Sequence, residues 1–171
     1  MNPNSLPIIF LFIAIATILS FGYGRLVKQE RLPFNSVMAF NDTQWQFMKV
    51  WVNIALLLGV ILPSILWIFF WDIATLRNFF SCYLFVVAVQ LTCEIYFSRL
   101  LCKSVVVVIG TLYTGFRIWQ LWTGLQFYSY SQPWLSLYWL ILFFWIANMI
   151  MLTTMAIPSI LPKTNRYGKS S

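Results

Sequence analysis

Two oppositely charged side chains stand inside long apolar runs of this 171-residue sequence, and they are its first candidates for chemistry. Glu94 lies in an apolar run over residues 79–97, and Arg117 lies in the next run, over residues 104–127. An ionisable side chain inside a membrane-spanning helix is costly, so it commonly faces the interior of a helix bundle and marks a binding or transport pathway. These two residues therefore define where a functional site is expected.

The two side chains are predicted to meet. A helical rise of about 1.5 Å per residue places Glu94 roughly 6 Å and Arg117 roughly 20 Å from the same membrane boundary. Helical side chains lean toward the N-terminus of their own helix, and two consecutive spans run in opposite directions. The side chains thus lean toward each other, and the sequence predicts a direct or water-bridged pair.

Two more polar residues are expected beside this pair. Gln90 is one helical turn from Glu94 on the same face, and Asn148 lies at an intermediate depth in a later apolar run. We predict one polar cluster in the half of the bundle nearer the basic residues, made of Gln90, Glu94, Arg117 and Asn148. One interpretation is that such a cluster only fixes how the helices pack. The other is that it forms a binding or transport site.

The fourth apolar run also has a pattern that is typical of close helix packing. Gly110 with Thr114, and Thr111 with Gly115, repeat small residues at a spacing of four. The partner helix is expected either in this chain or in another. Leu121, further along the same run, is expected to face lipid.

The composition argues against most catalytic and cofactor chemistry. The chain has no histidine, and its three cysteines are too few for a four-thiolate cluster. It has no glycine-rich phosphate loop, and no two carboxylates stand at a spacing that indicates acid and base catalysis. We therefore predict a protein that is not an enzyme and has no catalytic residues, no cofactor and no metal site.

The elements that must position these residues are five apolar runs. Hydrophobic residues make up 61% of the chain and charged residues 9%, against about a quarter in soluble domains. Each run is long enough to cross the roughly 30 Å hydrocarbon layer as a helix. The predicted fold is all-α, a polytopic integral membrane bundle of five transmembrane helices in a single domain, 1–171. Its spans cover residues 6–23, 50–71, 79–97, 104–127 and 134–157, with a polar tail over 163–171.

Charge placement predicts the orientation. With five spans, nine of the eleven basic residues fall on one side, and only Arg77 falls on the other. The positive-inside rule then places the N-terminus outside and the C-terminus inside. The nine are Arg25, Lys28, Arg31, Lys49, Arg99, Lys103, Lys163, Arg166 and Lys169.

Two local signals describe the second span. Thr43 and Gln46 have the spacing of a capping box, which predicts a helix that begins well before the apolar run. Pro63 lies inside the run and is expected to kink it.

Short loops leave little of the chain outside the membrane, so the expected function is carried by the helices. We predict an accessory, assembly or binding subunit that packs against other membrane proteins, a second copy or lipid-like ligands in the bilayer. The alternative is a small transporter or channel that uses Glu94 and Arg117. The basic residues are spread between apolar runs, which argues against a nucleic-acid partner.

Overall fold

The computed structural model describes residues 5–127 and 131–162, and within these ranges all regular secondary structure is helical. Seven α-helices and two π-helical segments join into five continuous units, each long and apolar enough to cross a membrane. The predicted polar tail over 163–171 lies outside the described residues. The α-helices are α1 (Ser5–Lys28), α2 (Asp42–Leu56), α3 (Leu62–Phe69), α4 (Ala74–Leu100), α5 (Val105–Phe127), α6 (Trp134–Met151) and α7 (Ile157–Ile160).

The five units follow the five predicted runs, and units 1, 2, 3 and 5 extend beyond them at one or both ends. Unit 1 is α1, unit 3 is α4 and unit 4 is α5, whereas unit 2 joins α2 to α3 and unit 5 joins α6 to α7. Unit 2 begins at Asp42 and unit 3 at Ala74, several residues before the apolar runs begin. Backbone hydrogen bonding continues into the polar boundary after the side chains have stopped being apolar, so hydropathy marks the centre of a helix better than its ends.

The cap of α2 differs from the prediction. Asn41 Oδ1 accepts a hydrogen bond from the Gln44 backbone N–H at 2.8 Å, and Gln44 Oε1 accepts one from the Asn41 N–H at 3.0 Å. This reciprocal pair is a capping box, two residues before the predicted Thr43 and Gln46. The prediction was wrong because Asn-x-x-Gln has the same spacing, and asparagine caps at least as well as threonine.

A π-helical segment stands where a kink was predicted. Residues Leu57–Ile61 form the first π segment, which ends two residues before Pro63, and Leu152–Ala156 form a second, which ends two residues before Pro158. Proline has no N–H to donate to the carbonyl four residues earlier, and its ring crowds that carbonyl. For Pro63 that carbonyl belongs to Gly59, and it accepts a hydrogen bond from the Tyr83 hydroxyl at 3.1 Å instead.

Unit 4 is the centre of the bundle. It packs against units 1, 3 and 5, and unit 3 also packs against α1 and α3. On one side of the bundle Lys28 Nζ donates to the Leu100 carbonyl at 2.9 Å, which brings the end of unit 1 to the end of unit 3. We call this the basic side, because Arg99 and Lys103 lie there as well, whereas Arg77 lies near the opposite end of unit 3.

Candidate functional site

Arg117 is buried at the centre of the bundle and is linked to Glu94 through Gln90. Its side chain is 3% exposed, and Nη2 donates to Gln90 Oε1 at 2.5 Å. Gln90 Nε2 in turn donates to Glu94 Oε1 at 2.5 Å. In the part of the chain that the structure describes, the link between the two charges is therefore a side-chain amide, where a direct or water-bridged pair was expected. Gln90 takes this place because it stands one turn before Glu94, closer to the depth of Arg117.

Two aromatic side chains hold the guanidinium from other directions. The Arg117 Cζ atom lies 4.2 Å from the ring centroid of Trp145 and 5.9 Å from that of Tyr83. A cation over an aromatic face is stabilised by the ring quadrupole, most strongly when water is excluded. Trp145 Nε1 also donates to the Tyr83 hydroxyl at 2.8 Å. Through Tyr83 this arrangement reaches Gly59, so Arg117 is connected to the first π segment.

Asn148 belongs to a second set of contacts. Its Oδ1 accepts from Trp51 Nε1 at 2.7 Å, and its Nδ2 donates to Thr114 Oγ1 at 2.9 Å. These bonds tie α2 to α5 and α6, and they do not join Asn148 to Arg117. The Trp51 ring also stacks on Phe144, with centroids 5.3 Å apart. The structure thus brings Gln90, Glu94 and Arg117 into one chain of contacts and places Asn148 in a neighbouring one.

The face of small residues on α5 lies against unit 5 of the same chain. An added Cβ at Gly110 would lie 3.7 Å from Leu152, and one at Gly115 would lie 3.3 Å from Met149. Thr114 is the residue of this face that also bonds to Asn148. Thr111 bonds back to a carbonyl of its own helix.

The prediction that Leu121 faces lipid was wrong. Leu121 is 0% exposed and lies in a core cluster with Tyr138 and Phe80. Unit 4 is covered by three other units, so the stretch around Leu121 has a much narrower exposed face than the apolar pattern indicates. Trp119 and Trp122 are the large apolar residues of α5 that are exposed there.

Both sets of contacts line one cavity of about 640 Å³. It lies between α2 on one wall and units 3, 4 and 5 on the others, and all four residues of the predicted cluster border it. Most of the remaining lining residues are apolar, and α2 adds the polar side chains of Lys49 and Asn53. This composition, an apolar lining with a few converging polar groups, is typical of a small-molecule site.

The cavity occupies the basic half of the bundle. The lining residues farthest from the basic side are Val60, Val87, Arg117 and Trp145, which lie near the middle of units 2 to 5. Beyond them the described core is filled by side chains that include Phe80, Leu121 and Tyr138. The cavity thus ends at mid-depth, with Arg117 and Trp145 at its end.

One side of the cavity is open between units 2 and 3. Within α2, which is described throughout, no residue is buried. Val52 and Leu56 on α2 are 48% and 42% exposed, Leu91 on α4 is 37% exposed, and all three line the cavity. Unit 2 packs on unit 3 mainly through α3, beyond the first π segment. The gap is therefore bordered by exposed apolar side chains of both units, and Lys49 and Asn53 of α2 are exposed lining residues as well.

Comparisons with known protein families, with curated proteins and with solved structures find no match to this chain.

Several residues of the site carry no signal in the sequence. Trp145 and Tyr83 are two aromatic residues among many, and nothing in their spacing indicates that they meet around an arginine. Asn53 is different, because it is a polar residue inside an apolar run and the reasoning used for Asn148 applies to it equally. Lys49 was predicted only as one of the nine basic residues on one side, and only the position of α2 shows that it borders the cavity.

Proposed function

We propose that this protein is a multi-pass membrane protein that binds one lipid-like molecule, as an accessory or assembly subunit of other membrane proteins. The observation that supports this proposal is the cavity with a polar end and with a gap between units 2 and 3 that exposed apolar side chains border. A ligand with a polar head and an apolar tail matches both features, with the head near Arg117 and the tail in the gap.

The proposal includes an orientation, with five membrane-spanning units, the N-terminus outside and the basic side inside. The positions of Arg99 and Lys103 on one side and Arg77 on the other support it through the positive-inside rule.

We expect a cysteine placed at Asp72 in a cysteine-free background to react with a membrane-impermeant maleimide on intact cells. A cysteine placed at Lys103 is expected to react only after permeabilisation. Both wild-type side chains are exposed, so the substitutions leave the core unchanged. The reverse pattern would contradict the orientation, and equal labelling of both sites on intact cells would contradict a membrane crossing between them.

Blocking the gap is expected to empty the cavity. We predict that Val52→Trp together with Leu91→Trp lowers the amount of lipid-like molecule retained after purification about tenfold, which corresponds to roughly 1.4 kcal/mol of binding free energy. The measurement is native mass spectrometry of the protein in a mild neutral detergent, followed by extraction and identification of the bound molecule.

The matched control is Ile54→Trp. Ile54 is also an exposed β-branched residue of α2, but it does not border the cavity. Equal loss of the bound molecule in the control and in the double variant would point to a general effect on α2. A wild-type protein that retains no such molecule would contradict the proposed function.

A small transporter is the second candidate, and Gln120 is the observation that favours it. Gln120 lies one turn beyond Arg117 on α5, and both of its amide atoms are buried without a partner among the described residues. Such a group could extend a polar path beyond the cavity. Flux of small ions into liposomes that contain only this protein would favour transport over binding.

A further inference from the structure

We infer that the bound molecule is a single-chain amphiphile with a monoanionic oxyacid headgroup, which Arg117 binds at the end of the cavity and Lys49 attracts from the basic side. This inference rests on the proposed function and adds the chemistry of the ligand. Three observations lead to it: the unused hydrogen-bonding groups at the cavity, the balance of charge along its lining, and its size.

The unused hydrogen-bonding groups are mostly donors. A guanidinium has five N–H groups, and among the described residues Arg117 donates one of them, to Gln90. Its Nε is buried without a partner among the described residues. The amide of Gln90 and that of Asn148 bond within the protein, as does the indole of Trp51. A headgroup rich in acceptor oxygens therefore complements the site better than an alcohol or an amine.

The charge balance favours one negative charge. Of the described lining residues, Arg117 and Lys49 are cationic and Glu94 is anionic. Uncompensated charge is costly away from water, and this cost falls on Arg117, which is buried, rather than on the exposed Lys49. A single oxyanion would neutralise the set. An amine headgroup would instead add a third positive charge beside only one carboxylate.

The size favours one chain. A volume of about 640 Å³ falls within the range of roughly 300–1,000 Å³ that is typical for small-ligand sites. The headgroup and the first part of one tail fit such a space, and the rest of the tail leaves between Val52, Leu56 and Leu91. Carboxylates and phosphodiesters share this chemistry, and the experiment separates them.

The test is equilibrium binding of four tritiated probes with the same saturated chain to purified protein in a neutral detergent. The probes are hexadecanoate, hexadecyl methyl phosphate, hexadecanol and hexadecylamine. We expect at least one of the two oxyanions to bind about tenfold more tightly than the alcohol, as a hydrogen-bonded charge contributes more than 1.4 kcal/mol. The oxyanion that binds more tightly identifies the headgroup.

Two variants assign the preference to residues. Arg117→Gln is expected to remove the advantage of the oxyanion over the alcohol. Lys49→Gln is expected to lower oxyanion affinity several-fold and to leave alcohol affinity unchanged. Lys103→Gln is the control, because Lys103 is an exposed cation of the basic side that does not border the cavity. Since Lys49 is also exposed, its variant reports on the site even where Arg117→Gln does not fold.

The outcomes separate the two proposals. Equal binding of all four probes, or tighter binding of the amine, would overturn the acidic headgroup and leave the binding function standing. An oxyanion preference that survives both Lys49→Gln and Arg117→Gln would overturn the assignment to these residues. Failure of all four probes to bind, together with no retained molecule in the wild type, would overturn the binding function itself.

Discussion

Replacing Arg117 by leucine is expected to lower the free energy of unfolding by about 3 kcal/mol, as is usual when one partner of a buried charge pair is removed. The guanidinium is the cationic end of the chain that runs through Gln90 to Glu94. Without it, Glu94 remains beside the core with only the Gln90 amide as a partner. The Trp145 ring also loses the cation that lies 4.2 Å from its centroid. The measurement is SDS titration of the protein in mixed micelles, followed by circular dichroism.

The control for this change must lie at an exposed position, so Leu121 cannot serve because it is buried. Trp122→Leu on the same helix is suitable, since Trp122 is exposed, and we expect it to change stability by less than about 1 kcal/mol. A second comparison is the triple change of Arg117, Gln90 and Glu94 to leucine. Apolar replacement of a whole buried ionic set is often close to neutral, so the triple variant should be more stable than Arg117→Leu alone. Equal stability of Arg117→Leu and Trp122→Leu would show that the contacts of Arg117 contribute little.

Arg117→Lys separates charge from shape. Lysine keeps the positive charge but has no planar group to lie on Trp145 while it bonds to Gln90. We therefore expect the free energy of unfolding of Arg117→Lys to lie between those of the wild type and Arg117→Leu. The same reasoning explains why arginine rather than lysine stands at this depth.

The helical units could be predicted from the sequence because each depends on a long and nearly continuous apolar run. The closeness of Glu94 and Arg117 followed from helical geometry as well, since both side chains lean toward the same level. What stands between them did not follow, because Gln90 could bond to either residue, to both or to the backbone. The order Arg117, Gln90, Glu94 is decided by how unit 3 is rotated against unit 4, and that rotation depends on packing along the full length of both units.

The cavity was beyond prediction for a related reason. Hydropathy treats unit 2 as one apolar run, but its two halves behave differently on either side of the first π segment. α3 packs on α4, whereas α2 has no buried residue and meets the core mainly through Trp51. Pro63 was visible in the sequence, yet its effect depends on Tyr83, which donates to the carbonyl that the proline leaves without its usual donor. The separation of α2 from the core thus depends on the helical hydrogen bond that Pro63 cannot make and on the tertiary contact of Tyr83 with Gly59.

Gly59 lies in the first π segment, next to Trp145, which bonds to Tyr83 and lies against Arg117. Substitution of Gly59 has the second large expected effect. A Cβ added at Gly59 would lie 2.5 Å from Trp145 Cζ2, which is closer than side-chain carbons approach. The indole cannot move aside without cost, because it is buried, bonds to Tyr83 and lies under Arg117. We expect Gly59→Ala to lower the free energy of unfolding by about 2 kcal/mol, as overpacking in a filled core does.

The control and the rescue make this prediction specific to the contact. Gly22 lies inside unit 1 with nothing within 4 Å of an added Cβ, so Gly22→Ala should be neutral or stabilise by up to about 1 kcal/mol through helix propensity. Trp145→Phe removes the part of the indole that meets the new methyl group, so Gly59→Ala should cost less in that background than in the wild type. The measurement is again SDS titration. If Gly59→Ala is as stable as Gly22→Ala, the indole does not lie against Gly59. The contacts that connect Arg117 and Trp145 to the first π segment would then differ from those described.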